Sequence, residues 1–263
     1  MPHKNVIDFE DYSLVLSGGG ALGIAHLGVL EELQNEPKEI VGTSMGGIIG
    51  ACLAVGLSVE EVYELIEKFA KISNWIKFSF SGNSIVKSDK IEEIFDKIFE
   101  NKRMKDTKIP LKVIATKLSN GDIRVFDKDD DIMIKDALLA TMAIPGIFEE
   151  KEIDKEIYVD GFLCENLGIN QASKEFVLAV DVLGKNSFSP LLPANKIKTK
   201  NVFEMFEKSM RILMYNQTRR DLKMSDKTIK LLDVDTKGYK TYHFHKYKEI
   251  KELGKKSYVN AFL

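Results

Sequence analysis

The sequence predicts an α/β protein built around a layered, largely parallel sheet. Two short apolar runs each end in a glycine-bearing turn and lead into a stretch with helical apolar spacing, and later β-rich runs alternate with amphipathic segments. The chain has 263 residues and no internal repeat, low-complexity segment or long linker, so a single domain spanning 1–263 is expected.

Taken in order, Leu14-Val15-Leu16 is the first strand, and it ends in Ser17-Gly18-Gly19-Gly20. Ala21 to Leu30 then carries apolar residues at helical spacing, which reads as strand, tight turn, helix. After a break at Pro37, Glu39 to Gly42 is a second strand, and Met45 to Val55 is an apolar helix rich in small residues. Ser58-Val59-Glu60-Glu61 has capping-box form and opens a helix with Val62, Leu65, Ile66 and Phe69 on one face. A second amphipathic helix covers Asp89 to Phe99. Leu111 to Thr116 and Phe176 to Val182 have the β-branched, apolar character of buried parallel strands. Val202 to Leu222 is a long amphipathic helix, followed by one more strand over Thr228 to Val234.

Composition narrows the function. A net charge of −2 argues against a nucleic-acid partner, which would require a clustered excess of Lys and Arg. No run approaches the roughly 20 apolar residues that span a bilayer, and Met1 to Asp8 is too polar for a secretory signal, so the expected compartment is the cytoplasm. Cys52 and Cys164 alone support neither a disulfide framework nor a four-thiolate metal site, and both read as small buried hydrophobes. No cofactor and no metal are expected.

Gly42-Thr43-Ser44-Met45-Gly46 is a G-x-S-x-G motif lying between a strand and a helix. A sharp strand-to-helix bend holds its central residue in a strained conformation and lifts the hydroxyl out of the sheet, and glycines on either side let neighbouring backbones approach. The following helix offers free amides and a positive dipole end for charge developing near Ser44, with Met45 N–H as a donor.

Gly18-Gly19-Gly20-Ala21-Leu22-Gly23 supports three readings. As a G-x-G-x-x-G turn it would cradle a pyrophosphate with Glu39 on a ribose, but Glu39 lies before the second strand instead of at its C-terminal end. Alternatively, Gly18, Gly19 and Gly20 expose amides beside the serine turn and stabilise an oxyanion. In the third reading they only let helix and strand pack closely.

An activated serine needs a proton acceptor. His3 is terminal, His26 lies on the first helix, and His243 and His245 sit in a polar, aromatic stretch without signs of a constrained site, although a triad through either remains open. Asp160 offers another solution: Ile157-Tyr158-Val159 is a β-like run, and Asp160-Gly161 would stand at its end. A desolvated carboxylate can act directly as the base. An ordinary Asp-Gly turn is the competing reading.

The three motifs in this order, Gly18 to Gly23, Gly42 to Gly46 and Asp160-Gly161, resemble the patatin-like phospholipases. So do Gly20 to Leu30 with its His26, Ala140 to Phe148, and Asn166; the 202–222 helix followed by a strand and Gly238-Tyr239 is similar to the bacterial branch related to neuropathy target esterase. The likeness runs over residues 12 to 260. It implies a three-layer α/β/α sandwich carrying a Ser/Asp dyad, without catalytic histidine or metal, that hydrolyses acyl esters of phospholipids or lysophospholipids. Ser44 would be nucleophile and Asp160 base, with Gly18, Gly19, Gly20 and Met45 forming the oxyanion hole and Gly23, Gly42, Gly46 and Gly161 shaping the turns.

Two positions depart from the family pattern. Leu22 stands where many relatives carry Arg or Lys, and Phe162 replaces the small residue after Asp-Gly, which would narrow the space beside Asp160. Phe78 to Ile85 and Phe188 to Pro193 read as apolar pocket or interface loops, and Lys196, Lys198 and Lys200 could meet anionic headgroups in peripheral contact at the inner membrane face. The 202–222 helix offers a homodimer surface. The same serine chemistry would also serve an acyltransferase or thioesterase, and a catalytically silent lipid-binding module is the non-enzyme alternative.

Overall fold

The computed structural model describes residues 10–72, 88–187 and 202–262. Its centre is an eight-stranded sheet: β1 (Tyr12–Leu16), β2 (Glu39–Thr43), β3 (Leu111–Lys117), β4 (Ile123–Phe126), β5 (Lys151–Ile153), β6 (Glu156–Asp160), β7 (Phe176–Asp181) and β8 (Thr228–Asp233). Along the path β5-β6-β3-β2-β1-β7-β8, with β4 also pairing with β3, the pairings from β3 to β8 are parallel. Those of β3 with β4 and β6, and of β5 with β6, are antiparallel.

Alternation of side chains along the central strands divides them between two cores, because successive residues point to opposite faces. Leu14, Leu16, Ile40, Leu111, Val113, Leu178 and Val180 belong to the larger core. Val15, Val41, Ile114, Val177 and Ala179 pack on the other face against Leu167, Ile169 and Ala172, with Leu222 beside them. A sheet buried on both sides is why these runs read as almost continuously apolar. The three-layer α/β expectation therefore holds.

The helices are α1 (Ala25–Leu30), α2 (Met45–Ala54), α3 (Val59–Ile72), α4 (Asp89–Phe99), α5 (Ile134–Thr141), α6 (Val202–Met224) and α7 (Tyr247–Phe262). The capping box forms as the sequence predicts: Ser58 N–H donates to Glu61 Oε2 at 2.8 Å, and Glu61 N–H donates back to Ser58 Oγ at 3.2 Å. Between β1 and α1 the chain makes a 3₁₀ turn over Gly20–Ile24 before it becomes α-helical.

Four elements escape the sequence analysis. Strands β4 and β5 are short and partly exposed, so they lack a continuous apolar signal. Helix α5 interrupts its apolar residues with Lys135 and Asp136. Helix α7 buries only Ile250 and Gly254 and is otherwise polar or half-covered, which leaves almost no stripe to detect.

The registers also explain how distant segments converge. Val113 pairs with Gly42 of β2 and Phe126 of β4, while Ala115 pairs with Arg124 of β4 and Asp160 of β6. A strand has only two edges; with β4 along one, β2 and β6 share the other. They run toward each other and end opposite the adjacent residues Ile114 and Ala115.

Candidate active site

Ser44 lies where β2 turns into α2, with φ 52° and ψ −124°, a left-handed conformation that costs energy in any residue with a Cβ. The bend passes so close to β1 that a Cβ on Gly46 would lie 2.3 Å from the Leu16 carbonyl oxygen, so glycine is required there. Gly42 lies beneath the same turn, and Gly23 packs against the Met45 side chain. Ser44 N–H donates to Thr141 Oγ1 at 2.8 Å, and the Thr141 hydroxyl in turn donates to the Ile114 carbonyl. Thr141 thereby clamps the bend to β3.

Asp160 ends β6. Its N–H donates to the Ala143 carbonyl at 3.0 Å, and its own carbonyl accepts from Thr116 Oγ1 at 3.0 Å. Gly161 then crosses β3 so tightly that a Cβ would lie 2.3 Å from the Ile114 oxygen. The Asp160 carboxylate accepts Phe162 N–H on Oδ1 at 3.0 Å and the Ser44 hydroxyl on Oδ2 at 2.7 Å. Burial pushes its pKa up to about 7 from the ordinary 3.8, and these two donors only partly counter that rise. A hydroxyl held against a buried carboxylate of near-neutral pKa can pass its proton to it while attacking an electrophile.

Gly18, Gly19 and Gly20 line the same cavity as Ser44 and Asp160. Gly18 N–H is engaged, donating to the Asn166 carbonyl at 3.2 Å. The N–H groups of Gly19, Gly20 and Met45 have no protein acceptor among the described residues. The first two open the 3₁₀ turn and the third opens α2.

The other candidates lie elsewhere. His26 is buried in the core, its Nε2 2.9 Å from the Ser17 carbonyl, and burial lowers its pKa to about 4. His243 Nδ1 accepts Lys240 N–H at 3.2 Å; neither His243 nor His245 lines the cavity at Ser44. Glu39 begins β2, at the opposite end from Ser44, where it pairs with Lys112 at 2.9 Å and accepts Ser173 N–H, so it faces no ligand beside the glycine turn. Leu22 is in the core, and Phe162 is a buried wall of the cavity. Cys52 is buried as expected, whereas Cys164 is only half-buried, with its thiol near the Gly121 carbonyl. Residues 78–85 and 188–193, Lys196, Lys198, Lys200 and His3 lie outside the described residues.

Two cavities meet at Ser44. One is bordered by Asp160, Asn166, Glu207, Arg211 and Thr241, but its wall is mostly apolar, with Ile147, Phe148, Phe162, Leu183, Phe206 and Met214. Arg211 there is buried, donating to the carbonyls of Ser187 at 3.2 Å and Tyr239 at 2.9 Å and facing Glu207 at 3.4 Å. The other is walled by apolar side chains of α2, α3 and α4. Thr141, Arg211 and Phe244 are absent from the sequence-predicted set. The signal available for Thr141 was a hydroxyl inside an apolar helical stretch, and for Arg211 a Glu four residues earlier on the same helix.

Fold and site together place a strand-to-helix serine turn against a buried carboxylate on an α/β sandwich. The chain belongs to the patatin-like phospholipase family, whose profile matches residues 14–173. It is 23% identical over 286 residues to a lysophospholipase NTE1 of Debaryomyces hansenii, covering 96% of this chain and 18% of that protein. It is 27% identical over 183 residues to an uncharacterized NTE family protein of Mycobacterium tuberculosis, covering 66% of this chain and 50% of the relative. The chain thus spans about a fifth of the yeast relative and half of the mycobacterial one. Among solved structures, VipD from Legionella pneumophila aligns with a TM-score of 0.49 at 13% identity, over 96% of this chain and 66% of that one.

Proposed function

We propose that this chain is a serine acyl hydrolase that cleaves fatty-acyl esters of lysophospholipids or phospholipids, with Ser44 as nucleophile and Asp160 as base. The observation that carries the reading is the 2.7 Å contact from Ser44 Oγ to a fully buried Asp160 carboxylate that has no ion-pair partner among the described residues. Ser44 Oγ attacks the ester carbonyl as its proton passes to Asp160 Oδ2, and the carbonyl oxygen collects the developing charge. The amides of Gly19, Gly20 and Met45 are the donors for that oxyanion, while Gly18, tied to Asn166, shapes the turn. Collapse expels the alcohol, which takes the proton from Asp160 and leaves an acyl-Ser44 ester. Water then attacks that ester with Asp160 again accepting a proton, releasing fatty acid and free Ser44.

Lipid as the substrate class is supported by the family, by the lysophospholipase name of the yeast relatives, and by the mostly apolar walls of both cavities at Ser44. Among the described residues no helix is long and apolar enough to cross a membrane. Helix α6 turns Met205, Ile212 and Leu213 outward, each at least half exposed, beside the exposed Arg219 and Arg220, which suits peripheral contact with an anionic lipid surface.

The test is hydrolysis of p-nitrophenyl butyrate by the wild type, Ser44→Ala and Asp160→Asn, each checked for folding by circular dichroism. Loss of turnover in both variants is expected, with fluorophosphonate labelling of the wild type and none of Ser44→Ala. Equal activity in all three proteins would remove the dyad. Labelling without ester cleavage would point to acyl transfer, read out with an added alcohol acceptor.

A further inference from the structure

Asn166 is 1% exposed and lines the first cavity together with Ser44 and Asp160, yet neither Oδ1 nor Nδ2 of its amide has a hydrogen-bond partner among the described residues. Leaving both ends of a buried amide unpaired weakens a fold, so the reason for such a group lies in what it binds.

The backbone holds this amide in place. The Glu165 carbonyl accepts the hydroxyl of Thr43, one residue before Ser44, at 3.1 Å, and the Asn166 carbonyl accepts Gly18 N–H at 3.2 Å. Residues 165 and 166 are thereby strung between the serine turn and the glycine turn. A Cβ on Gly18 would lie 2.7 Å from Asn166 Oδ1 and 3.2 Å from Ser44 Cβ, so the amide oxygen is no farther from Ser44 Cβ than those two distances combined. A single water spans such a gap, standing about 3 Å from the group on either side.

The two unused atoms indicate what the amide binds. An oxyanion only accepts hydrogen bonds and would engage Nδ2 alone, and the amides of Gly19, Gly20 and Met45 are free to serve it. Water both donates and accepts, so it pairs with Oδ1 and Nδ2 together. Asp160 lines the same cavity and, like Asn166, does not line the second.

We propose that Asn166 is a catalytic residue that holds and orients the water which hydrolyses the acyl-Ser44 ester. The water oxygen bonds to the acyl carbon while one of its protons passes to Asp160. The bond from that carbon to Ser44 Oγ then breaks, Oγ takes the proton from Asp160, and the fatty acid leaves. The inference rests on Ser44 being the nucleophile and Asp160 the base, and it adds a residue that acts in the second half of the reaction only.

The experiment is kcat and kcat/KM for p-nitrophenyl butyrate, with mass spectrometry of intact protein quenched during turnover. p-Nitrophenoxide leaves readily, so hydrolysis of the acyl-enzyme limits kcat, whereas kcat/KM reports only the steps through acylation. In Asn166→Leu, kcat should fall about a hundredfold and KM with it, while kcat/KM stays within about threefold. The quenched variant should carry a butyryl group on Ser44. Asn166→Ala, smaller and also without the amide, should change in the same direction and serves if the Leu variant does not fold. Equal falls in kcat and kcat/KM, as a distorted turn or a lost oxyanion donor would give, overturn the assignment, and so does an unchanged kcat in a folded variant. Failure of the underlying reading looks different: no butyrate hydrolysis by the wild type, or full activity in Ser44→Ala.

Discussion

Ser44 Oγ lies 2.7 Å from Asp160 Oδ2 although 116 residues separate them in the chain. The contact follows from the two strands that carry them. Strand β2 runs parallel to β3 and β6 antiparallel to it, both along the same edge, and their ends stop opposite Ile114 and Ala115. Ile114 is the common anchor: its carbonyl accepts the Thr141 hydroxyl that holds Ser44 N–H, and the same oxygen is the atom against which Gly161 packs. The Ser44 hydroxyl and the Asp160 carboxylate are thus fixed to one point of the sheet, so the proposed dyad would have little entropy left to lose in acting together.

The pH dependence of turnover follows from Asp160. In its proposed role as base it must be ionised, and burial raises its pKa to about 7. Below that value kcat/KM should rise about tenfold per pH unit, then level off above it. His243→Gln and His245→Gln should leave the midpoint in place. A midpoint that either histidine variant moves by a unit would assign the base to a triad instead.

The same carboxylate makes the site costly to stability. A group whose pKa is raised from 3.8 to about 7 on folding holds its proton more tightly in the folded state. It favours folding below pH 4, and that contribution disappears as pH rises through about 7. Asp160→Asn removes the buried charge, so its melting temperature relative to wild type should climb between pH 4 and pH 8, by up to about 4 kcal/mol of stability. Asp181, also buried and raised to about 7, is present in both proteins and cancels from the difference. Thermal melts across this range check the sign, and a constant difference would mean that the carboxylate is not shielded.

Thr141 should matter to rate more than to binding. Its hydroxyl accepts from the amide of the strained Ser44 and is itself buried. Thr141→Val keeps the shape and leaves that amide unpaired, which should lower kcat by about ten- to a hundredfold with KM little changed. Thr141→Ser, which keeps the hydroxyl, should recover most of the loss. Equal kcat for the Val and Ser variants would show that the clamp is dispensable.

The sequence was informative wherever chemistry is written into local backbone requirements. Ser44 and the glycines around it form one turn, and Asp160-Gly161 form another, so their residue types reflect constraints within a few positions. The strand and helix runs were legible for the same reason, each burying a continuous face. Thr141, Phe244 and Arg211 were not, because they reach the site only across the tertiary fold, and a threonine in a helix carries no mark of its partner 97 residues away. The sharing of one β3 edge by β2 and β6 is likewise a matter of register, which depends on pairing between segments far apart in the chain.

Phe162 offers the sharpest test of what raises the Asp160 pKa. It stands where the family pattern has a small residue, is 7% exposed and forms a wall of the cavity next to the carboxylate. Its backbone N–H holds Asp160 Oδ1, so a substitution that keeps the backbone keeps that hydrogen bond. Phe162→Ala therefore changes the solvent near the carboxylate and leaves both of its donors in place. Desolvation is the largest cause of the raised pKa. Water admitted beside Asp160 should bring the pKa down, moving the acidic midpoint of kcat/KM to lower pH by about one unit. The base would then be ionised over a wider range but weaker, so the plateau rate should fall even as activity at pH 5 gains relative to it. Stability should drop by about 3 kcal/mol from the lost aromatic burial, a separate effect read by melting at the pH where the carboxyl is protonated in both proteins. A midpoint that stays near 7 in a folded Phe162→Ala variant would show that the shielding comes from the strand end itself and not from the ring.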